Sequence, residues 1–265
     1  MNVELAQVRD HAIKSDQARV RFVFWREVVD GLFKAEVRYD TPVVRALFQE
    51  RYFNECAFTS VKEAERYAED TNVSLLYLIC EAYGIKSIAI DHALNHLGQA
   101  QGLVNLLRGS VPLARRRRIV VLPLDLLNKH NLSQEIVLRL LRADPTKEQL
   151  QHSAATESLL NMYHDLASVA HQHACTAARL AQEAAKHIQS NDQRYFTGFR
   201  TASTSQRALC RQMLPLIPIS DYLDQLQRKA NFDPRCLDSR VDGLLPLRIS
   251  WQAWRNRLPR GPSTS

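Results

Sequence analysis

The stretch that decides the fold is Leu97-Gly98-Gln99-Ala100-Gln101-Gly102-Leu103-Val104-Asn105-Leu106-Leu107-Arg108. Together with Leu94, its apolar side chains at 97, 104 and 107 recur every three or four residues, which predicts one buried face of a helix over 88–108. Small residues lie between them, and they would allow another helix to approach closely. The stretch therefore predicts a buried helix that packs tightly against its neighbours.

Apolar periodicity predicts further helices on both sides of this stretch. They are expected over residues 16–33, 61–80, 133–142, 157–188 and 246–258. Only 8 of the 265 residues are glycine and 45% are hydrophobic, so an all-α fold with a proper core is favoured over a turn-rich β fold. Residues 259–265 are polar and rich in Pro, Gly and Ser, and we expect them to be disordered.

Composition limits the function without choosing it. The formal net charge of +7 favours an anionic partner, which could be nucleic acid, lipid headgroups or an acidic protein. No nucleic-acid-binding motif is visible, and no apolar run is long enough to span a membrane. The five scattered cysteines form no C-x-x-C pair, so we expect free, mostly buried thiols of a reducing compartment. The N-terminus has no secretory signal, and its acidic residues argue against a clean transit peptide.

Two polar clusters invite a functional interpretation. The run Arg115-Arg116-Arg117-Arg118 is either a solvated turn or a contact for an anionic ligand. His92 and His96 share a helix face near Asp91, but Ala93 stands where a zinc helix of the H-E-x-x-H kind has Glu. We therefore do not expect a metal site there.

The last predicted helix carries one apolar stripe, Leu247, Trp251, Trp254 and Leu258, flanked by arginines. This stripe either packs on the core of the domain or lies along an anionic membrane, where tryptophan favours the headgroup boundary. Both alternatives remain open on the sequence alone.

The opening stretch, the arginine run, Leu122-Pro123 and Leu132-Ser133 together resemble the second conserved region of squalene and phytoene synthases. That region has the pattern L-G-x-A-x-Q-x-T-N-x-L-R-D-x-x-x-D, followed by a basic turn and L-P. These all-helical enzymes join two prenyl diphosphates. The resemblance implies a single isoprenoid-synthase-like helical bundle over residues 1–258, lacking some N-terminal helices.

The resemblance fails where the enzymes bind metal. Their aspartates would hold Mg²⁺ against diphosphate, but Gly109 and Leu113 occupy the two positions, while Asn105 and Arg108 remain. We call these four residues the vestigial site. The first aspartate motif is also missing upstream of Trp25, and the spacing of Asp238 and Asp242 is attributed to chance.

Segments at 2–8, 66–78, 96–108, 115–123 and 244–255 are similar to a non-catalytic mitochondrial branch of the family that also lacks the aspartates. This likeness implies an assembly factor of complex I (NADH:ubiquinone oxidoreductase) without catalytic, cofactor-binding or metal-binding residues. It would act in early biogenesis at the matrix face of the inner membrane. Its partners would be complex I subunits or assembly intermediates and anionic lipid, not nucleic acid.

The alternative implied by the family is a prenyl-lipid or prenyl-diphosphate binder with a residual transferase-like site. In that case, Arg108 or the arginine run would hold a phosphate without Mg²⁺.

Overall fold

The described part of the chain is helical and contains no strand. The computed structural model describes Glu27 and residues 58–83, 85, 87–143, 154–189, 202–237 and 243–262. The chain divides into two compact units, Met1–Ala57 and Phe58–Ser265, and the helices named below belong to the second unit. Its elements in chain order are α1 (Val61–Ala68), a π-helical segment (Glu69–Val73), α2 (Ser74–Ala82), α3 (Ile88–Arg117), α4 (Leu124–Lys129), α5 (Gln134–Arg142), α6 (Ala154–Gln189), α7 (Ala202–Gln212), α8 (Leu216–Arg228) and α9 (Leu245–Arg255).

The two longest helices, α3 and α6, pack along each other and form the centre of this unit. The predicted stripe of α3 is buried, since Leu94, Leu97 and Leu107 have no exposed surface. On α6, Met162 and Tyr163 are equally buried. This confirms the buried face predicted for residues 97–108. The burial of these apolar side chains stabilises the bundle.

Glycines on α3 allow the π-helical segment and α1 to lie directly against it. A Cβ atom added at Gly98 would be 2.5 Å from Val73 Cγ2, and one added at Gly102 would overlap the Ala68 side chain and lie 3.1 Å from its Cα. Normal carbon contacts are about 3.5–4.0 Å, so only glycine fits at these two positions. The close packing predicted from the small residues is confirmed.

The α3 helix is longer than predicted, and the arginine run is not a turn. Arg115, Arg116 and Arg117 form the last turn of the helix, which continues past an internal Pro112. Arg118 then ends the helix in the left-handed conformation, with φ of 58°. Cations at a helix C-terminus interact favourably with the helix dipole, and arginine is a good helix former, so the basic run extends the helix.

The other predicted helices within the described residues are confirmed with small shifts. The pattern over 61–80 forms α1, the π-helical segment and α2, and residues 133–142, 157–188 and 246–258 form α5, α6 and α9. Ser133 caps α5 as expected, because its Oγ accepts a hydrogen bond from the Ile136 backbone N–H. Of the helix predicted over 16–33, only Glu27 is described, and it is helical.

The end of the chain differs from the expected disorder. Pro259 and Pro262 are buried, and a Cβ added at Gly261 would lie 3.0 Å from the Ala178 side chain of α6. Gly261 and Pro262 therefore lie against α6, while 263–265 lie outside the described residues. Two apolar proline rings and a glycine suit such a surface groove even though the segment reads as polar.

Candidate functional site

A cavity of about 830 Å³ lies between the C-terminal half of α3 and α8. Three residues of the vestigial site, Asn105, Arg108 and Gly109, line it on the α3 side. Tyr222 and Asp221 line it from α8, and the segment 234–237 closes it below. Leu113 does not line the cavity; it is half-buried one turn beyond Gly109. The structure thus brings three of the four predicted residues into one concave site.

The cavity wall is cationic. Arg108, Arg115 and Arg116 all line it, and none of them makes an ion pair within the described residues. The carboxylate of Asp221 also faces the cavity, but its Oδ1 accepts a hydrogen bond from Arg248 Nη1 at 2.8 Å. Arginine groups without a carboxylate partner around a cavity are suited to anionic oxygens, which they bind through several N–H donors.

The arginine run divides at this cavity. Arg115 and Arg116 line it, whereas Arg117 and Arg118 do not, although all four are exposed. The helical conformation explains the difference, because residues along a helix turn point in different directions. An anion contact by the run, one of the two alternatives left open by the sequence, would therefore fall to its first two members.

The described residues of this cavity do not fit the Mg²⁺ cluster of the family's enzymes. Mg²⁺ requires several oxygen ligands, usually including carboxylates. The only carboxylate on the described wall belongs to Asp221, and it is engaged by Arg248. Gly109 offers no side chain and the three arginines repel a cation, so this wall cannot assemble the metal site on which diphosphate departure depends in the enzymes.

Arg108 packs against an aromatic ring instead of a carboxylate. Its guanidinium carbon lies 5.9 Å from the centroid of the Tyr222 ring, and the Arg108 side chain is exposed. Burial raises the pKa of the Tyr222 phenol, and the positive charge of Arg108 partly offsets this increase. No ion pair of Arg108 is found among the described residues.

A buried ion pair fixes the floor of the cavity. Asp233 Oδ1 accepts a hydrogen bond from Arg235 Nε at 2.8 Å, and its Oδ2 accepts one from Nη2 at 2.7 Å. The Arg235 side chain is 2% exposed, and its Nη1 also points to the Leu140 carbonyl of α5. The bidentate contact raises the pKa of the Arg235 guanidinium, despite its burial. This arginine is thus a structural cation and is not available to a ligand.

The apolar stripe of α9 faces solvent. Leu247, Trp251 and Trp254 are 66%, 58% and 72% exposed, and no residue of α9 is buried. The two indole rings lie together, with 5.1 Å between their centroids. Of the two alternatives left open by the sequence, packing on the core is therefore wrong for this stripe, although Leu258 beyond the helix is half-buried.

Of the two histidines considered as metal ligands, His96 is hydrogen-bonded to His173 of α6. His96 Nδ1 and His173 Nδ1 are 2.9 Å apart, and His173 Nε2 lies 3.1 Å from Glu65 Oε1. The ring of His92 lies 5.2 Å from that of His96. Partial burial lowers the pKa of His96, and the neighbouring His173 lowers it further. The described residues contain no group of three or more side chains arranged to hold a metal ion.

Several features of the cavity were not foreseen from the sequence. Asp221, Tyr222 and Arg235 lie more than 100 residues beyond the stretch that carries the motif, and no local pattern marks them. The Asp233-x-Arg235 spacing was a usable signal, since the aspartate accepts hydrogen bonds from the backbone and side chain two residues later. The described residues do not include Trp25, Asp238 or Asp242, which were considered in connection with the first aspartate motif.

The chain belongs to the squalene/phytoene synthase family, whose pattern matches residues 48–215. Within curated proteins it is similar to "NADH dehydrogenase (ubiquinone) complex I, assembly factor 6" of Rattus norvegicus, with 32% identity over 97% of this chain and 72% of that protein. The protein of that name in Homo sapiens is 31% identical over 96% of this chain and 71% of its own length. The homolog in Drosophila melanogaster is 30% identical over 97% and 73%.

No solved structure matches the chain. Within the part of the chain that the structure describes, none of the helices combines the length and hydrophobicity needed to cross a bilayer.

Proposed function

We propose that this chain is a non-catalytic, mitochondrial assembly factor of complex I. The observation that carries the proposal is the similarity to curated proteins named for that role, which extends over 97% of the chain. By the same similarity, the chain would act on complex I subunits or assembly intermediates in early biogenesis. It would work at the matrix face of the inner membrane.

The chemistry of the cavity supports the non-catalytic part of the proposal. A described wall with three arginines outside any ion pair among the described residues and one engaged carboxylate favours anions but disfavours the divalent cation that a prenyl transfer needs. Purified protein incubated with farnesyl or geranylgeranyl diphosphate and Mg²⁺ is therefore expected to release no pyrophosphate above background. Release of pyrophosphate at a rate that rises with the concentration of the purified protein would contradict the non-catalytic assignment.

The α9 helix supports peripheral membrane binding. Its exposed tryptophans and Leu247 form an apolar surface, and Arg255 and Arg257 are exposed beside it. Trp favours the boundary between headgroups and acyl chains, and each arginine near an anionic bilayer contributes about 1 kcal/mol. The helix is thus suited to lie along the surface of a membrane rich in anionic lipid.

Vesicle flotation tests this membrane contact. Replacement of both Trp251 and Trp254 by Ala is expected to release the protein from cardiolipin-containing vesicles while its melting temperature stays unchanged, because both side chains are exposed. Leu75→Ala with Leu78→Ala is a matched control that removes exposed apolar surface elsewhere. Undiminished flotation of the tryptophan variant would exclude α9 as the membrane contact.

A second candidate function is the binding of a prenyl lipid or prenyl diphosphate. The observation that favours it is the cationic wall of a cavity of about 830 Å³, large enough for a ligand of this size. The phosphate would be held by Arg108, Arg115 and Arg116 without Mg²⁺.

The division of the arginine run provides a sharp test of this candidate. In the presence of EDTA, geranylgeranyl diphosphate would raise the melting temperature of the wild type and of an Arg117→Gln, Arg118→Gln variant, which leaves the cavity wall intact. The variant Arg115→Gln with Arg116→Gln would lose the shift. Equal shifts in the two variants would place binding elsewhere, and no shift in the wild type would exclude the ligand.

A further inference from the structure

Helix α2 is apolar on the side that faces solvent. Leu75, Leu78 and Ile79 lie at helical spacing on one stripe, and Leu75 and Leu78 are 60% and 61% exposed. Only Leu76 and Cys80 of this helix are buried. A helix with apolar residues on all sides is normally enclosed, so a surface of this kind marks an interaction site.

A fourth exposed apolar residue lies at the start of α3, the helix that α2 contacts. Ile88 is 87% exposed at the start of α3. It lies one turn before Asp91, whose backbone carbonyl accepts a hydrogen bond from the Tyr77 hydroxyl of α2 at 3.3 Å. We refer to Leu75, Leu78, Ile79 and Ile88 together as the α2 surface.

The chain segment 69–91, which carries the α2 surface, is acidic, although the chain as a whole carries +7. Between residues 69 and 91 the chain has four carboxylates, Glu69, Asp70, Glu81 and Asp91, and a single basic residue, Lys86. Asp70 and Glu81 are exposed. Asp91 and Glu69 lie near the Tyr77 hydroxyl, whose pKa is raised by burial and by the charges of these two carboxylates.

We propose that the α2 surface is the docking site for a helical segment of a partner protein that is apolar on one face and carries Lys or Arg beside it. The exposed leucines would pack against the apolar face of the partner helix, and Asp70 and Glu81 would form ion pairs with its Lys or Arg side chains. The inference rests on the proposed function, because an assembly factor must recognise a protein client.

The acidic charge of segment 69–91 argues against other occupants. An anionic bilayer is repelled by carboxylates and is attracted instead by the arginines beside α9. A symmetric dimer through the α2 surface would place like charges opposite each other, since a two-fold contact joins the same patch on both copies. A basic, apolar helix satisfies both features of the surface.

Binding of two labelled peptides to the purified full-length chain tests this proposal. Both are helices of about 18 residues, long enough to be helical in water, with Leu on one face. One carries Lys on its other face and the second carries Glu in the same positions. We expect fluorescence anisotropy to show the Lys peptide binding at least about tenfold more tightly, with the preference reduced by salt.

Variants assign the binding to the α2 surface. Leu75→Gln with Leu78→Gln is expected to weaken the Lys peptide at least about tenfold without changing the melting temperature, because both side chains are exposed. Asp70→Lys with Glu81→Lys would reverse the preference toward the Glu peptide. Leu247→Gln, an equally exposed leucine on α9, is the matched control and would leave binding unchanged.

Each remaining outcome overturns the proposal. These are absence of binding by the wild type, equal affinity for the two peptides, or loss of binding in the Leu247 control alone. Self-association of the wild type that the leucine variant abolishes would identify a second copy as the occupant, and vesicle flotation abolished by it would identify a bilayer. Either result would overturn the docking proposal but leave the proposed role in complex I assembly unaffected. Failure of the wild type to support complex I assembly would instead contradict that role, even if the Lys peptide binds.

Discussion

The close contact between α3 and the π-helical segment makes a strong prediction for Gly98→Ala. The new methyl group would lie 2.5 Å from Val73 Cγ2 and 2.9 Å from the Val73 backbone nitrogen. The backbone nitrogen cannot rotate away, so the two helical segments must separate or the π-helical segment must unwind. Overpacking of this kind costs about 1–3 kcal/mol, and the Gly98 contact belongs at the upper end of that range.

A smaller effect opposes this cost. Alanine is favoured over glycine inside a helix by about 1 kcal/mol. The net loss for Gly98→Ala is thus about 2 kcal/mol, and a chain of this size changes its melting temperature by roughly 2–4 °C per kcal/mol. We expect a decrease of about 4–8 °C, and a similar decrease for Gly102→Ala, whose methyl group would overlap Ala68.

Gly109→Ala is the matched control on the same helix. The nearest atom to its added Cβ would be Leu113 Cδ1 at 3.7 Å, an ordinary contact, so only the gain in helix propensity remains. Thermal unfolding followed by circular dichroism should show a small increase in melting temperature for this variant. An unchanged melting temperature for Gly98→Ala, or an equal decrease in all three variants, would refute the close packing of α3.

Three further predictions concern charged groups. Arg235→Met leaves the Asp233 carboxylate without its bidentate partner, and we expect the free energy of unfolding to fall by about 3–5 kcal/mol. Urea denaturation measures this loss, and a value below about 1 kcal/mol would show that the pair is not buried in solution. The pKa of His96 is lowered in the folded state, so the stability of the protein should fall as the pH decreases below the ordinary pKa of 6.5. His96→Gln should flatten this dependence of stability on pH. Identical pH profiles for the wild type and the variant would contradict the lowered pKa. The pKa of the Asp165 carboxyl is lowered to about 2, mainly by its hydrogen bond from the Lys129 ammonium. The ionised carboxylate therefore stabilises the fold above the ordinary pKa of 3.8, and this stabilisation is lost toward pH 2. Asp165→Asn should lower the melting temperature at pH 7 but not at pH 2.

The helices of the described unit could be predicted because their apolar residues recur with the helical period. The α3 stripe and its glycines were visible in the sequence, and both have the expected roles. The end of α3 was not predicted, because an arginine run and Pro112 both usually indicate a turn. The helix continues beyond Pro112 because Leu113, Ala114 and the arginines are good helix formers and the cations suit its C-terminus.

The cavity was only half visible in the sequence. Asn105, Arg108 and Gly109 share one helix, so the motif placed them together. The opposite wall depends on how α8 and the segment 234–237 pack, which no local pattern reveals. The orientation of α9 could not be decided either, because a stripe of Leu and Trp is equally suited to a core and to a membrane surface.

The most direct test of the proposed function is complementation in cells from which the gene for this chain has been deleted. Blue-native gels of mitochondrial membranes would measure assembled complex I alongside the other respiratory complexes. We expect complex I alone to be depleted and to recover with the wild type and with Asn105→Ala, Arg108→Ala, which removes both polar side chains remaining at the vestigial site. Normal complex I in the deleted cells, or an equal loss of all the respiratory complexes, would contradict a role in complex I assembly.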